Sequence, residues 1–415
     1  MNEILQGDCL EVMKSFPDNY FSGVCTDPPY GLHFMGKDWD CFSRSKNTED
    51  YQHFTLPDSS SRKGTVRSIM CGNSLSGTYD DHRNDEFQSF ITQFGIEAMR
   101  IVKPGGHMLM CGAPRRYHRQ ACGLEDAGWE IRDCLCWLTG QGFPKSHNHF
   151  GPEGYGTALK PAYEPILLCM KPLEGTFKQN YEKWGVGGIN IDKCRIPGSK
   201  TSVPQPTFDS PTGKIYGMKC GVGRNGGMSD NTKGRWPSNL LLDSDAAAML
   251  DEQSGVTTSS GGDGYKNSIF CSGKKTGGHG LGDSGGASRF FFCPKTSSRE
   301  RNEGLEGLPD QIGGGLNATV AGDTRTGHIT IQKNNHPTVK PLALMRYLIT
   351  LISPPTNALI LDPFAGSGST IIAAEQLGIK AIGIEKQPEY VEIARARLKH
   401  AADKVSKATE QMSLF

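Results

Sequence analysis

No apolar run approaching 18 residues occurs in this 415-residue chain, so the sequence offers no membrane-spanning helix. A charged-then-apolar leader after Met1 is also lacking, and the expectation is a soluble, unexported, cytoplasmic protein. Charge of one sign is scarce too: 45 Lys and Arg against 44 Asp and Glu leave +1, which by itself points to no partner. The thirteen cysteines include no CxxC pair. Cys134 and Cys136 alternate along a strand-like run, and Cys271 and Cys293 have no partner at ligand spacing, which argues against structural zinc and for reduced thiols. No Gly-Lys-Ser/Thr triplet is present to cradle a nucleoside triphosphate.

What is present is punctuated α/β. Ile4-Leu5 reads as a short strand ending at Gly7-Asp8, and a helix follows from about Cys9. The turn Pro17-Asp18-Asn19 then leads into a second strand that stops at Thr26-Asp27-Pro28-Pro29-Tyr30-Gly31. Two consecutive prolines cannot continue a sheet ladder, but they hold a carboxylate, the Pro28 carbonyl and an aromatic ring rigidly at a strand's end. Two acceptors and a stacking face suit a planar ring carrying an amino group, as in a nucleobase. An X-Pro-Pro turn leaving a strand would serve the four residues equally well. Asp8 likewise suits either ligand binding at a strand's carboxyl end or a helix N-cap before Leu10.

Residues 31–84 lack periodicity and read as a long loop on the active edge, with Trp39 as its anchor. From Glu86 the residues Phe87, Phe90, Ile91 and Phe94 make one helical face, stopped by Lys103-Pro104-Gly105-Gly106. Strands at 107–111, 129–138 and 160–171, with a helix at 117–127, continue the alternation of an α/β sheet. Residues 171–335 differ, holding 30 of the 52 glycines and 20 basic against 16 acidic residues. With few apolar runs they read as a mildly basic insertion, either contacting nucleic acid or merely solvated. Its islands of order are 236–242 with 246–250, and 289–293. From His336 regularity returns: a helix opened by Pro341, a strand at 358–361, a glycine-rich turn, a helix at 371–377 and a strand at 380–384 ending in Glu385. An amphipathic helix then runs to Leu398, followed by a polar tail from His400.

Strand, glycine-rich turn, helix, strand and acid form the unit that binds an adenosine-type cofactor, the acid accepting from ribose hydroxyls. Glu385 lies 19 positions after Gly366. The loop lacks the third glycine of the dinucleotide fingerprint, which favours a cofactor without a pyrophosphate.

The segment Asp362-Pro-Phe-Ala-Gly-Ser-Gly-Ser-Thr370 resembles the S-adenosylmethionine loop of the amino-methyltransferases that act on exocyclic nitrogens of DNA bases. Asp27-Pro-Pro-Tyr30 resembles their catalytic motif. With the catalytic motif first and the cofactor loop last, the order is similar to that of the beta class, a circular permutation of the methyltransferase fold. His336-Pro-Thr-Val-Lys-Pro341 resembles a further cofactor motif of the family, Gly7-Asp8 its adenine-contacting acid, and Tyr163-Glu-Pro-Ile-Leu-Leu168 its late strand. The resemblance implies an α/β, permuted Rossmann-like sheet with helices on both faces. Residues 1–170 would form its catalytic part, 171–335 a target-recognition region, 336–400 its cofactor part and 401–415 a polar tail. Strands of 336–398 would come first in the sheet and those of 1–30 next, so that Asp8, Asp27, Gly366 and Glu385 converge on one carboxyl edge.

The resemblance further implies S-adenosylmethionine as cofactor, double-stranded DNA as substrate and a restriction endonuclease as partner. Its catalytic residues would be Asp27, Pro28, Pro29 and Tyr30. Its cofactor residues would be Asp8, His336, Thr338, Lys340, Asp362, Phe364, Ala365, Gly366, Ser367, Gly368, Ser369, Thr370 and Glu385. Asp at the first motif position is commoner in the family's adenine enzymes, which makes adenine N6 the expected target and cytosine N4 the alternative. Methylation of an RNA or protein amide is disfavoured, because related glutamine-methylating enzymes usually place the cofactor loop before an Asn-Pro-Pro-Tyr motif. Attack at cytosine carbon 5 would need a Pro-Cys nucleophile, and the chain has only the reverse, Cys293-Pro294.

Overall fold

The computed structural model describes residues 2–32, 40, 81–140, 151–198, 203–204, 214–215, 218–219, 228–229, 234–258, 283–294, 299–309, 311–312 and 331–413. Most of the loop expected at 31–84, with Trp39, lies outside the described residues. The chain divides into two compact units, one of residues 1–137, 141–190 and 295–415 and one of residues 138–140 and 191–294.

The first unit carries strands β1 (Glu3–Gln6), β2 (Phe21–Thr26), β3 (Val102–Cys111), β4 (Glu130–Leu138), β5 (Tyr163–Met170), β6 (Leu359–Asp362) and β7 (Lys380–Glu385). They stand in the order β1-β7-β6-β2-β3-β5-β4. The two strands from the start of the chain therefore flank the two from its end. The neighbours β1/β7, β7/β6, β6/β2 and β2/β3 are all parallel. Parallel strands end at one edge, so Asp8, Asp27, Asp362 and Glu385, each at or just past a strand's carboxyl end, converge there. β5 runs antiparallel to β3, pairing Ile166 with Cys111. Its beginning, with Glu164, is thereby brought to the edge where the parallel strands end.

The helices are α1 (Cys9–Met13), α2 (Asp81–Ile101), α3 (Tyr117–Asp126), α4 (Phe177–Trp184), α5 (Leu342–Ile352), α6 (Ser369–Leu377) and α7 (Pro388–Ser413). The apolar face foreseen on α2 is fully buried at Phe87, Ile91 and Phe94, where it packs with Phe21, Val24, Met108 and Met110 of the sheet. β2 is buried at all six positions, as a strand covered on both faces should be. A Cβ on its Gly23 would stand 2.7 Å from the His107 carbonyl oxygen, so glycine permits the close approach of β2 to β3. No helix among the described residues is long and apolar enough to cross a membrane.

Two boundaries differ from the sequence reading. β3 begins at Val102, directly after α2, because Lys103-Pro104-Gly105-Gly106 enters the sheet instead of forming a separate turn. Its Gly105 has φ +77°, and the buried Asn180 fixes this start by donating to the Pro104 carbonyl at 2.9 Å. At the other end, the polar residues from His400 do not form a loose tail. α7 continues to Ser413, Ala401 is buried, and Lys404 pairs with Glu303.

The second unit is narrower than the glycine-rich composition of 171–335. α4 and residues 295–335 fall in the first unit. Both islands read from the sequence are ordered: strand Leu240–Leu242, helix Ser244–Ser254 capped by Asp243, and the 3-10 turn Ala287–Phe290. They are tied together by Leu242 N–H to the Phe292 carbonyl at 3.0 Å and by Asp251 accepting from Ser288.

Burial of His107 in β3 holds its imidazole neutral, with a pKa lowered to about 4. The unfolded chain takes up this proton below about pH 6.5, whereas the folded protein resists until about pH 4. The associated stability is present above pH 6.5 and lost on acidification, by about 2 kcal/mol between pH 7 and pH 5. Urea unfolding at both pH values should show wild type losing that much more than His107→Gln; equal losses would refute a buried neutral imidazole.

Candidate active site

β2 delivers Asp27, and the chain then turns through Pro28 and Pro29 to Tyr30. Gly31 closes the turn in the left-handed region at φ +66°. The buried Asp40 carboxylate accepts from the Gly31 N–H at 2.6 Å and the Leu32 N–H at 3.0 Å, locking the turn in a way the sequence did not reveal.

The Asp27 carboxylate meets two partners. Its Oδ1 accepts from the Tyr30 hydroxyl at 2.6 Å and its Oδ2 from Lys340 Nζ at 2.6 Å. Lys340 Nζ also lies 3.3 Å from the Tyr30 hydroxyl and 3.3 Å from Glu164 Oε2. That Glu164 oxygen is buried and makes no aligned hydrogen bond among the described residues. Burial of Lys340 opposes its charge, but the Asp27 and Glu164 carboxylates outweigh it and hold its pKa well above the ordinary value. Burial, reinforced by Asp27, raises the Tyr30 phenol well above its ordinary pKa, so it stays a proton donor. Each carboxylate oxygen has two acceptor sites. Asp27 thus keeps one on each oxygen for an incoming N–H.

The glycine loop between β6 and α6 turns through Gly366 at φ +52° and Gly368 at φ +82°. Space also dictates glycine at 366, where a Cβ would stand 2.6 Å from His336 Nε2. The Gly366 N–H donates to Glu385 Oε2 at 2.8 Å, and the Gln387 N–H to Glu385 Oε1 at 2.7 Å. Burial nevertheless raises the Glu385 pKa. The Ala365 N–H reaches the Ile384 carbonyl at 2.9 Å. Behind the loop, buried Arg397 donates to the Ser367 carbonyl at 2.6 Å and hydroxyl at 3.0 Å, and to the Glu300 carbonyl at 3.2 Å. Burial lowers its pKa to about 10, still far above neutrality.

Asp362 is buried and acts as a brace, accepting from the Thr26 hydroxyl at 2.6 Å and the Phe364 N–H at 3.1 Å; Thr370 also bonds it. It thereby joins β6 to β2 and to the start of α6. Burial raises its pKa to about 6. The Phe364 ring packs against Phe94, 5.5 Å between centroids, so it anchors the loop to α2. Ser369 is buried, and its hydroxyl has no partner among the described residues. His336 stands edge-on to Tyr390 at 4.6 Å, and burial keeps it neutral with a pKa lowered to about 4. Its Nδ1 accepts from the Thr338 N–H at 3.4 Å.

Two residues make contacts that the sequence left open or did not indicate. Lys340, expected among the cofactor residues, places its ammonium on Asp27. Asp8 behaves as an N-cap, its Oδ1 accepting from the Leu10 N–H at 3.0 Å, while Oδ2 meets Lys386 at 3.1 Å. Glu164, Asp40 and Arg397 were missed as contributors. Glu164 stood in a motif treated only as a strand, while Asp40 and Arg397 had no local signal.

The donor set fits S-adenosylmethionine. A loop with glycine at 366 and 368, walled by His336, leads to the Glu385 carboxylate, which retains acceptor sites suited to ribose hydroxyls. Gly366, Glu385 and Asp8 would hold the adenosine portion.

A family model described as DNA methylase, of the N6/N4 methyltransferases, matches residues 21–396. The type II methyltransferase M.HinfI of Haemophilus influenzae is 42% identical over 403 residues, covering 96% of this chain and 68% of that protein. The type II methyltransferase M.HindIII of the same species is 46% identical over 205 residues, covering 45% of this chain and 64% of that protein. M2.LlaDCHI of Lactococcus lactis is 43% identical over 84 residues, and there the chain spans only 31% of its relative's length, with 19% of its own. Among solved structures, the cytosine-N4-specific PvuII DNA methyltransferase has a TM-score of 0.45 at 15% identity, covering 95% of this chain and 85% of that one.

Replacing Arg397 by Met would strip a buried cation from two carbonyls and leave them unpaired. Loss of about 2–4 kcal/mol of unfolding free energy is expected in urea denaturation. A variant as stable as wild type would show that Arg397 does not brace the glycine loop.

Proposed function

Because this chain belongs to the N6/N4 family of DNA methylases, we propose that it transfers a methyl group from S-adenosylmethionine to the exocyclic N6 of adenine in double-stranded DNA. The observation that carries the reading is the Asp27 carboxylate, held at the sheet's carboxyl edge with acceptor sites to spare. It shares that edge with the glycine loop and Glu385.

An amino group on an aromatic ring is a poor nucleophile because its lone pair is delocalised. Hydrogen bonds from that group to Asp27 and to the Pro28 carbonyl favour a more tetrahedral nitrogen and release the lone pair. Bound S-adenosylmethionine supplies the electrophilic methyl. As the nitrogen gains positive charge, the adjacent carboxylate stabilises it without reorganising, since Tyr30 and Lys340 already fix its position. The target base must leave the duplex stack to reach this site, and the Tyr30 ring offers it a face. The second unit, inserted between the catalytic and cofactor parts, is assigned to target recognition. Type II relatives suggest a restriction endonuclease as a functional partner.

Nucleoside analysis of DNA from cells expressing the protein tests the base: N6-methyladenine is expected, and N4-methylcytosine in its absence would overturn the choice. Asp27→Asn, which preserves volume beside Lys340, should lower methyl transfer by about 10²–10³-fold while S-adenosylmethionine binding, followed by titration, stays near wild type. Ordinary turnover by this variant would refute the role given to Asp27.

A further inference from the structure

Adenine and cytosine present the same first two atoms beside the group to be methylated: an amino donor, then a ring-nitrogen acceptor. They differ at the third position, where adenine has a C–H and cytosine a carbonyl oxygen. The site shows a matching series. Asp27 is an acceptor, Lys340 a donor 2.6 Å from it, and Glu164 a second acceptor 3.3 Å beyond Lys340. The Lys340 ammonium has three N–H bonds. Asp27 and the Tyr30 hydroxyl engage two at hydrogen-bond distance, and the Glu164 contact is an ion pair that is not an aligned hydrogen bond.

We propose that Glu164 is a specificity-determining residue: it rejects cytosine by facing its carbonyl oxygen with a carboxylate, while Lys340 donates to the ring nitrogen that both bases share. The inference rests on the amino-methyltransferase reading above and deepens it by naming what selects the base. With adenine bound, the third position meets a carboxylate with a weakly positive C–H edge. With cytosine, two acceptors confront each other without a hydrogen between them, and one must stay unpaired in a water-poor site. The side chains on which this depends come from three separate parts of the chain: the end of β2, the start of the antiparallel β5 and the approach to α5. Among the described residues, His336, Asp362, Cys25 and Cys111 also face this group; burial keeps His336 neutral, and burial with the Asp27 charge keeps the Cys111 thiol protonated. The Asp362 carboxylate is engaged by Thr26 and the Phe364 N–H.

The test begins by locating the methylated sequence with single-molecule sequencing of DNA from expressing cells. Synthetic duplexes then carry either adenine–thymine or cytosine–guanine at the methylated pair. kcat/KM is measured on both with the full-length wild type and with Glu164→Gln. Any penalty from altering the recognition sequence applies equally to both proteins, so the variant's change in the adenine-to-cytosine ratio isolates the contribution of Glu164. An amide can donate to the cytosine oxygen, and the ratio should fall by about 10- to 100-fold in Glu164→Gln through gained transfer to cytosine. Glu164→Ser, which removes the carboxylate without supplying a long donor, should lower it less, and it serves in place of Glu164→Gln should that variant not fold. A merely structural role would reduce both activities together and leave the ratio unchanged, which would overturn the inference while the adenine reading of the wild type stands. A wild type that methylates only cytosine would overturn both this inference and the adenine reading.

Discussion

The ion pair between Lys340 and Asp27 is the interaction on which the rest of the site depends. It joins residues 313 positions apart in a pocket where Lys340 is almost fully buried. A lysine placed there without a carboxylate would deprotonate or draw in water. The carboxylate in turn would be less firmly aimed without the ammonium and the Tyr30 hydroxyl. Truncating one member of such a pair strands the other, typically at about 3–5 kcal/mol. The pair therefore links assembly of the fold to assembly of the site. The segment before α5 and the end of β2 have to meet for either group to be tolerated.

That meeting is imposed by the sheet. β6 and β7, from the end of the chain, pair between β1 and β2 from its beginning, and all four run parallel. A parallel arrangement gathers strand ends with their acids on one edge. Asp362 reinforces the gathering, because one carboxylate oxygen accepts from Thr26 and from Phe364 of the glycine loop. The strand end that leads into Asp27-Pro-Pro-Tyr30 and the glycine loop are thus fixed to the same buried side chain. Antiparallel β5 adds what parallel strands cannot, a residue at the start of a strand on that same edge. Glu164 reaches the site only because β5 runs the other way.

Much of this was legible in the sequence, for a physical reason. Apolar runs ending in an acid or a glycine mark strand ends, and Gly7-Asp8, Asp27-Pro-Pro-Tyr30, the 362–370 loop and Glu385 carried that mark. What stayed illegible depends on contacts between distant residues with no local pattern. Arg397 reads as an ordinary charged residue on an amphipathic helix, yet it is buried under Ser367. The helix containing it continues past His400, where Lys404 on its polar surface pairs with Glu303 from a distant part of the chain. Lys340 was read with its sequence neighbours His336 and Thr338. Its long side chain carries the charge away from them to Asp27, and sequence proximity gives no warning of such a reach.

The same geometry bears on why the acid, the ammonium and the phenol are grouped so tightly. A carboxylate alone would bind any amino group and would equally hold a water or a cation. With Lys340 and Tyr30 in place, one acceptor site on each oxygen is already engaged, and those remaining are confined to directions set by the protein. A positively charged substrate is disfavoured by the ammonium beside the acceptor. A neutral amino group adjacent to a ring nitrogen is favoured, because the same ammonium can donate to that nitrogen. Lys340 therefore acts in two ways through one charge: it fixes the Asp27 carboxylate in place, and it restricts what Asp27 can receive. On the proposed reading, selection of a neutral, aromatic amine follows from the electrostatics needed to bury the carboxylate, and the finer choice between bases is the part proposed for Glu164.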